Sequence, residues 1–316
     1  MDYTLTPLTD HETGAEIRGL DLTGTVPEDV RKKLNADFAR YHVLAIRDQK
    51  FDPQQFLQAG RVFGEIMQHH RKSGYTTADG SIYEVKNQEV APGKYYIVGE
   101  SFHTDHSNDP VPPKATSLYP VSLPTKGGDT QFVNMHHAYD DLSDAMKKRI
   151  EKLIAVHVYM SKYSPRELIK LDDETAKHVP PPALHPLVRI HPENGMRYLY
   201  LNPVRIEAIV GMPDDESQAL IAELMAHATQ PKYEYRHQWK YGDMVIWDDR
   251  SVLHQANADY DMKETRRLYR LMVKGTLHPS DIAATRDVKV DIAQRLPVNT
   301  ERLTARLRGS ADVGPG

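Results

Sequence analysis

The triplet His103-Thr104-Asp105 and the later His254 supply two imidazoles and one carboxylate. That donor set occupies one face of an Fe(II) ion and leaves its other positions open. Residues two apart in a strand point to the same side, so a strand through the triplet would aim His103 and Asp105 at one metal and turn Thr104 away. His254 follows the strand-like run Asp243-Met244-Val245-Ile246-Trp247-Asp248, and a second strand beside the first would deliver it. The chain has no cysteine, and mixed nitrogen and oxygen ligation suits Fe(II) rather than a structural zinc. A His-x-Asp triplet alone is a weak signal, because a chain with 16 histidines and 44 acids contains such triplets by chance. The residues beyond His254 add weight. A 2-oxo-dicarboxylate that chelates iron through its keto and C1-carboxylate oxygens has its far carboxylate left over, and a guanidinium answers it with two parallel donors. Arg266 stands a turn and a return strand beyond His254. Arg270, in the same strand, would face the same side and reach a second anion.

Further motifs stand in one order along the chain: Gly14-Ala15-Glu16-Ile17-Arg18-Gly19-Leu20-Asp21-Leu22, Phe63-Gly64-Glu65, Phe102-His103-Thr104-Asp105 and Lys126-Gly127-Gly128-Asp129-Thr130. Then come His185-Pro186-Leu187-Val188-Arg189, Tyr200-Leu201-Asn202, and Ile246-Trp247-Asp248-Asp249-Arg250 ahead of His254-Gln255-Ala256-Asn257-Ala258-Asp259-Tyr260. Over residues 14–276 this pattern resembles the taurine dioxygenase family of Fe(II)- and 2-oxoglutarate-dependent oxygenases, which includes the 2,4-dichlorophenoxyacetate and alkylsulfate dioxygenases. The resemblance implies Fe(II) held by His103, Asp105 and His254, with 2-oxoglutarate and O₂ as co-substrates. It makes Thr130 a hydroxyl donor to the distal carboxylate of 2-oxoglutarate, Arg266 that carboxylate's ion-pair partner, and Arg270 the seat of the prime substrate's anionic head group. Read without it, Thr130 is equally a strand residue after a Gly-Gly turn, Arg270 a structural ion-pair partner, and Arg267 a solvent-facing side chain. The resemblance also implies a homo-oligomer, dimer or tetramer. Asp105 excludes the halogenating variant, whose members carry a small residue there.

Substrate identity is less legible. His69 falls where taurine-using relatives place a head-group histidine; its alternative is an exposed loop histidine. Gly99 stands where those enzymes carry a polar substrate contact, which disfavours taurine itself. Tyr75, Tyr83, Tyr95 and Tyr96 offer flat apolar area and hydroxyls to an aromatic or amphipathic acid, or else pack a loop. His106 and Asn108, just beyond the ligand pair, stand where hydrogen bonds could orient substrate. The leading reading is hydroxylation of a small organic anion. A second keeps the cofactors but ends in desaturation, cyclisation or isonitrile formation on an amino-acid-derived carboxylate. A third, a metal-binding barrel without turnover, is opposed by the pairing of Thr130 with Arg266.

Mixed elements must position these residues. Residues 27–41, 53–63, 144–154 and 214–229 predict helices, the first with Pro27 at its start, Glu28 and Asp29 in the first turn, and an apolar stripe of Val30, Leu34 and Phe38. Strands are predicted at 43–46, 116–119, 130–133, 187–190, 198–201, 233–239, 244–247 and 268–274. Many short strands with flanking helices suggest a sandwich or barrel. The resemblance makes it a double-stranded β-helix, a jelly-roll, cupin-like barrel with the metal at its mouth. The polar stretch 159–182, ending in Pro180-Pro181-Pro182, reads as a lid or a plain surface insertion. With 316 residues, 40% of them hydrophobic, the chain can build one large core. Residues 1–276 are taken as a single domain and 277–316 as an extension, partly disordered or an oligomer arm, with a possible short helix at 291–296. A net charge of −4 from 40 basic and 44 acidic groups gives no hint of a nucleic-acid partner and leaves a small-molecule substrate, which the reading of Arg270 makes an anion. The first residues lack a basic patch and an apolar run, so neither a signal peptide nor a membrane span is expected, and the missing cysteines fit a cytoplasmic setting.

Overall fold

A computed structural model of the chain describes residues 2–68, 77–166 and 179–288. Strands dominate it. Seven form the larger sheet, in the order Thr4–Pro7, Ala15–Arg18, Val43–Ile46, Met244–Asp248, Ala115–Ser122, Arg267–Val273 and Tyr83–Lys86. Only the Ala15–Arg18 and Val43–Ile46 pair is parallel. A second, three-stranded sheet runs Glu234–His237, Thr130–Asn134, Val252–Ala256, all antiparallel.

The two sheets face each other, and the side-chain period of two shows how. In Val43–Ile46, Val43 and Ala45 join the cluster between the sheets, while Leu44 and Ile46 join the cluster outside. In Met244–Asp248, Val245 and Trp247 point in, Met244 and Ile246 out. Both faces are covered, so these strands are apolar throughout. Phe132, Tyr235 and Val252 reach in from the smaller sheet. Phe132 stacks on Tyr235 at 6.0 Å and meets Trp247 at 5.3 Å, ring centre to ring centre.

Helices seal the outer faces. Glu28–Tyr41 buries Val30, Leu34 and Phe38, and Pro53–Arg61, opened by a capping box between Asp52 and Gln55, buries Phe56 and Leu57. Both pack on the outside of the larger sheet. Met135–Asp140 and Asp214–Ala228 cover Val133 and Leu253 behind the smaller one. No described helix is long and apolar enough to cross a membrane.

Several expectations need correction. The triplet around Asp105 is not a strand: His103 makes an isolated antiparallel bridge to His254, and the chain then turns, with His106 at a left-handed φ of 47°. The helix expected over 144–154 stops at Ile150, because Ile154–His157 is a buried strand between Ala183–Pro186 and Ile206–Ile209. The strand expected over 233–239 begins as a 3-10 turn at Pro231–Tyr233 and ends at His237. Among the described residues the strand pairings leave separate sheets and do not close into a barrel. In the C-terminal extension, Pro279–Thr285 is helical and docks through a buried ion pair, Arg189 Nη2 to Asp281 Oδ2 at 2.8 Å. His69, Tyr75, residues 167–178 and the possible helix at 291–296 lie outside the described residues.

Candidate active site

Each element of the site sits where a backbone pairing puts it. His103 N–H donates to His254 O at 3.0 Å and His254 N–H returns to His103 O at 2.9 Å. Residues exchanging both bonds of an antiparallel pair project to one side, about 5.5 Å apart at Cα. The two imidazoles therefore meet, with ring centres 4.2 Å apart. The turn after Thr104 swings Asp105 under them, its Oδ1 3.7 Å from His103 Nε2. Asn202 pins this turn by donating to Thr104 O at 2.8 Å and to Ser107 Oγ at 2.9 Å. His103, Asp105 and His254 are all buried, with one candidate ligand atom from each lying within 4.8 Å of the others. Among the described residues no other group of three meets that test.

The protonation states suit a divalent metal. Burial, with Arg166 and the neighbouring His254, holds His103 well below its usual pKa, and burial pushes His254 down to about 4. Both rings are neutral at pH 7 and keep a lone pair. His103 Nδ1–H donates to Ser101 O at 2.8 Å, which leaves Nε2 free to ligate. Burial would raise Asp105, but the charge of Arg270, 3.6 Å away, leads the groups that hold it below the usual carboxylate range and keep it ionised. Two neutral imidazoles and one carboxylate are the donor set that Fe(II) takes in a facial triad.

Behind Asp105 lies a partnership that sequence reasoning missed. Thr116 Oγ1 is 2.8 Å from Asp105 Oδ2 and 2.6 Å from Asp249 Oδ2. One hydroxyl has one proton, so it donates to one carboxyl and accepts from the other. Burial and the charge of Asp105 push Asp249 well above the usual carboxylate range. Asp249 thus holds a proton toward Thr116, and Thr116 donates to Asp105. Asp249 and Thr116 carried no motif of their own, although Asp249 stands inside the Ile246-Trp247-Asp248-Asp249-Arg250 run.

One cavity is lined by His103, Asp105 and His254 together with Thr130, Arg266 and Arg270. Thr130 and His254 share a face because Thr130 pairs with Ala256 and Phe132 with His254. Arg266 is 3% exposed. It donates from Nε to Gly128 O at 2.8 Å and from Nη2 to Thr130 Oγ1 at 3.3 Å, and forms no ion pair among the described residues. Burial pushes it down to about 10. Thr130 Oγ1 also accepts Trp239 Nε1–H at 3.0 Å, so its own proton is free for an incoming acceptor. Gly127 and Gly128, both at positive φ, allow the close approach: a Cβ on Gly127 would lie 2.4 Å from Asp259 O. Arg270 Nη1 stands 3.6 Å from Asp105 Oδ1, with its Nε buried and unpartnered. Of the other sequence candidates, Tyr96 is half-buried, with burial raising its hydroxyl pKa. His106 pairs with Asp109 at 3.5 Å, and Asn108 is buried beside Asp109. None of these three lines the cavity.

Residues 4–272 match the model of the taurine catabolism dioxygenase TauD, TfdA family. The chain belongs to that family. It is 34% identical, over 82% of this chain and 91% of the relative, to the alpha-ketoglutarate-dependent 2,4-dichlorophenoxyacetate dioxygenase of Burkholderia sp. (strain RASC). It is 30% identical to pentalenolactone F synthase of Streptomyces arenae, over 85% of this chain and 94% of that one. A solved structure of a taurine dioxygenase from Burkholderia xenovorans superposes with a TM-score of 0.74 at 31% identity, over 88% of this chain and 92% of that one. This member of the TauD, TfdA family is accordingly an alpha-ketoglutarate-dependent dioxygenase, an oxidoreductase that uses Fe(II), 2-oxoglutarate and O₂.

Proposed function

We propose that this dioxygenase hydroxylates a C–H bond of a small organic anion, with His103, Asp105 and His254 holding Fe(II), Thr130 and Arg266 seating the distal carboxylate of 2-oxoglutarate, and Arg270 turned to the anionic head group of the prime substrate. The observation that carries the reading is Arg266. A guanidinium buried without an ion-pair partner among the described residues, in the same cavity as the His, Asp and His side chains, is costly unless a ligand brings the anion. Bound Fe(II) supplies activation of O₂ for attack on the C–H bond, coupled to conversion of 2-oxoglutarate to succinate and CO₂.

This chain's own residues do the holding. Ser101 O fixes the His103 tautomer, and Thr116, oriented by Asp249, donates its own hydroxyl proton to Asp105, so that the carboxylate keeps one orientation. Gly128 O aims the Arg266 fork, and Thr130 adds its hydroxyl proton. Val85, Val98, Leu118 and Trp247 give the cavity an apolar wall that excludes water.

The two facing sheets we read as the halves of a jelly-roll, within a single catalytic domain of residues 1–276. We read the chain as a cytoplasmic homo-oligomer that engages neither membrane nor nucleic acid: the absent cysteines fit the compartment, the near-balanced charge fits the lack of a polyanionic partner, and the family likeness favours the oligomer. A second reading, in which the same cofactors drive desaturation or cyclisation, is supported by the likeness to pentalenolactone F synthase. Succinate release from 2-oxoglutarate tests the main reading. It should require Fe(II), match O₂ uptake, and rise with one member of a panel of aryloxy acids, sulfonates and sulfate esters, giving a hydroxylated product or its breakdown pieces. An alkene or ring product would favour the second reading.

A further inference from the structure

Two more guanidinium groups stand by the metal-ligating triad, and the roles assigned above use neither. Arg166 donates from Nε to Ser101 Oγ at 2.7 Å and from Nη2 to Ser101 O at 2.9 Å. The same carbonyl accepts His103 Nδ1–H, so a single peptide oxygen joins Arg166 to a ligating imidazole. Arg205 lies over the Tyr159 ring, 4.9 Å from its centre, and its backbone N–H donates at 3.0 Å to the carbonyl of Asn202, the residue that pins the turn between Thr104 and Ser107. Asp105 and Tyr96 act electrostatically on both arginines, and the charge of Arg205 adds to burial in pressing Arg166 below the usual arginine range. Both side chains are half-buried, and neither has an ion-pair partner among the described residues.

Cations withdrawn from water without a counter-charge are unfavourable, and the cost is relieved when a ligand brings the anion. Loading the site with Fe(II) and 2-oxoglutarate does not bring it, because their formal charges are equal and opposite. Arg266 is directed to the co-substrate and Arg270 to the first anionic group of the prime substrate, which leaves Arg166 and Arg205 without a counter-charge among the described residues.

We propose that Arg166 and Arg205 form a second anion seat, so that the prime substrate carries two anionic groups, one for Arg270 and one for this pair. The substrate class is a small dianion: a dicarboxylate, or a carboxylate that also bears a sulfate or sulfonate, whose paired oxygens fit a guanidinium fork. Ser101 orients Arg166 in advance, and the Tyr159 ring supports the Arg205 guanidinium from below. The assignment rests on the oxygenase reading above and specifies its substrate.

The test is anaerobic calorimetry on the full-length protein loaded with Fe(II) and 2-oxoglutarate, using matched pairs that differ by one charge: octanoate and suberate, phenoxyacetate and 4-carboxyphenoxyacetate, hexyl sulfate and 6-sulfooxyhexanoate. In at least one pair the dianion should bind tenfold or more tightly than the monoanion. Arg166→Gln and Arg205→Gln should each cut that preference below threefold and leave monoanion and 2-oxoglutarate affinities within twofold. No preference in the wild-type protein, a comparison that needs no variant to fold, would overturn the second seat; so would a preference that survives both substitutions. Failure of 2-oxoglutarate to bind the Fe(II)-loaded protein in the same instrument would overturn the oxygenase reading and this inference together, whereas normal 2-oxoglutarate binding without dianion preference overturns this inference alone.

Discussion

Replacing Arg266 by methionine separates a ligand-binding arginine from a structural one, because the two roles give opposite signs. Burial pushes Arg266 down from its usual arginine range to about 10, and at 1.36 kcal/mol per pKa unit the ligand-free fold carries about 3 kcal/mol for keeping the cation charged. Methionine removes that cost and fills similar volume. It also removes the bonds to Gly128 O and Thr130 Oγ1, about 1.5 kcal/mol each. The terms nearly cancel, so the melting temperature of the apo protein should stay within about 3 °C of wild type. The complex has no such compensation. Losing one side of a buried, charge-assisted pair costs about 3 kcal/mol or more, so the 2-oxoglutarate Kd should rise a hundredfold or more. Anaerobic titration of 2-oxoglutarate into Fe(II)-loaded protein reads the affinity, and calorimetric melting reads the stability. A melting point lowered by about 8 °C or more, with the 2-oxoglutarate Kd changed less than tenfold, would make Arg266 a structural residue and refute the reasoning.

Thr116→Val keeps the shape of the residue but breaks the link between Asp249 and Asp105, and should weaken Fe(II) binding about 10- to 100-fold, read by competition with a chelator, while Fe(II)-saturated protein binds 2-oxoglutarate normally. Phe132→Ala empties the space between the sheets and should cost about 3–5 kcal/mol in denaturant unfolding; a loss under 1 kcal/mol would mean that the two sheets do not depend on this contact. Acid should destabilise the apo protein early. His136 and His254 are pushed to about 4 and His185 to about 3, chiefly by burial, so below pH 6.5 the unfolded chain binds more protons than the folded one. Their contribution is complete above pH 6.5 and is lost as pH falls toward 4, at about 2 kcal/mol per histidine by pH 5; an unfolding free energy that stays flat from pH 7 to 5 would contradict this.

How far the site is legible in the sequence depends on where its physical causes lie. His103, Asp105, His254, Thr130, Arg266 and Arg270 could be named because their types and order carry the chemistry, and all six line one cavity. The strand argument for the triplet misjudged the means: the ligands converge through a reciprocal backbone pair between His103 and His254 and a turn through a left-handed His106, neither of which has a local signature. Thr116 and Asp249 are ordinary residues until the fold brings them together, 133 positions apart. Arg166 and Arg205 belong to no motif, and only the lack of an ion-pair partner among the described residues singles them out. The apolar runs of Val43–Ile46 and Met244–Asp248 were readable as strand, but not which face met which cluster. The docking of Pro279–Thr285 was hidden for a similar reason, since Asp281 finds Arg189 from 92 residues away.

The central claim is that one cavity holds Fe(II) on His103, Asp105 and His254 and chelates 2-oxoglutarate beside it. Adding Fe(II) and then 2-oxoglutarate to metal-free protein without O₂ tests it most directly, by the visible metal-to-ligand charge-transfer band of the chelate. The band should appear with one equivalent of each, vanish in Asp105→Ala, and require far more 2-oxoglutarate in Arg266→Met. Metal binding without any band, or a full band in Asp105→Ala, would contradict the account.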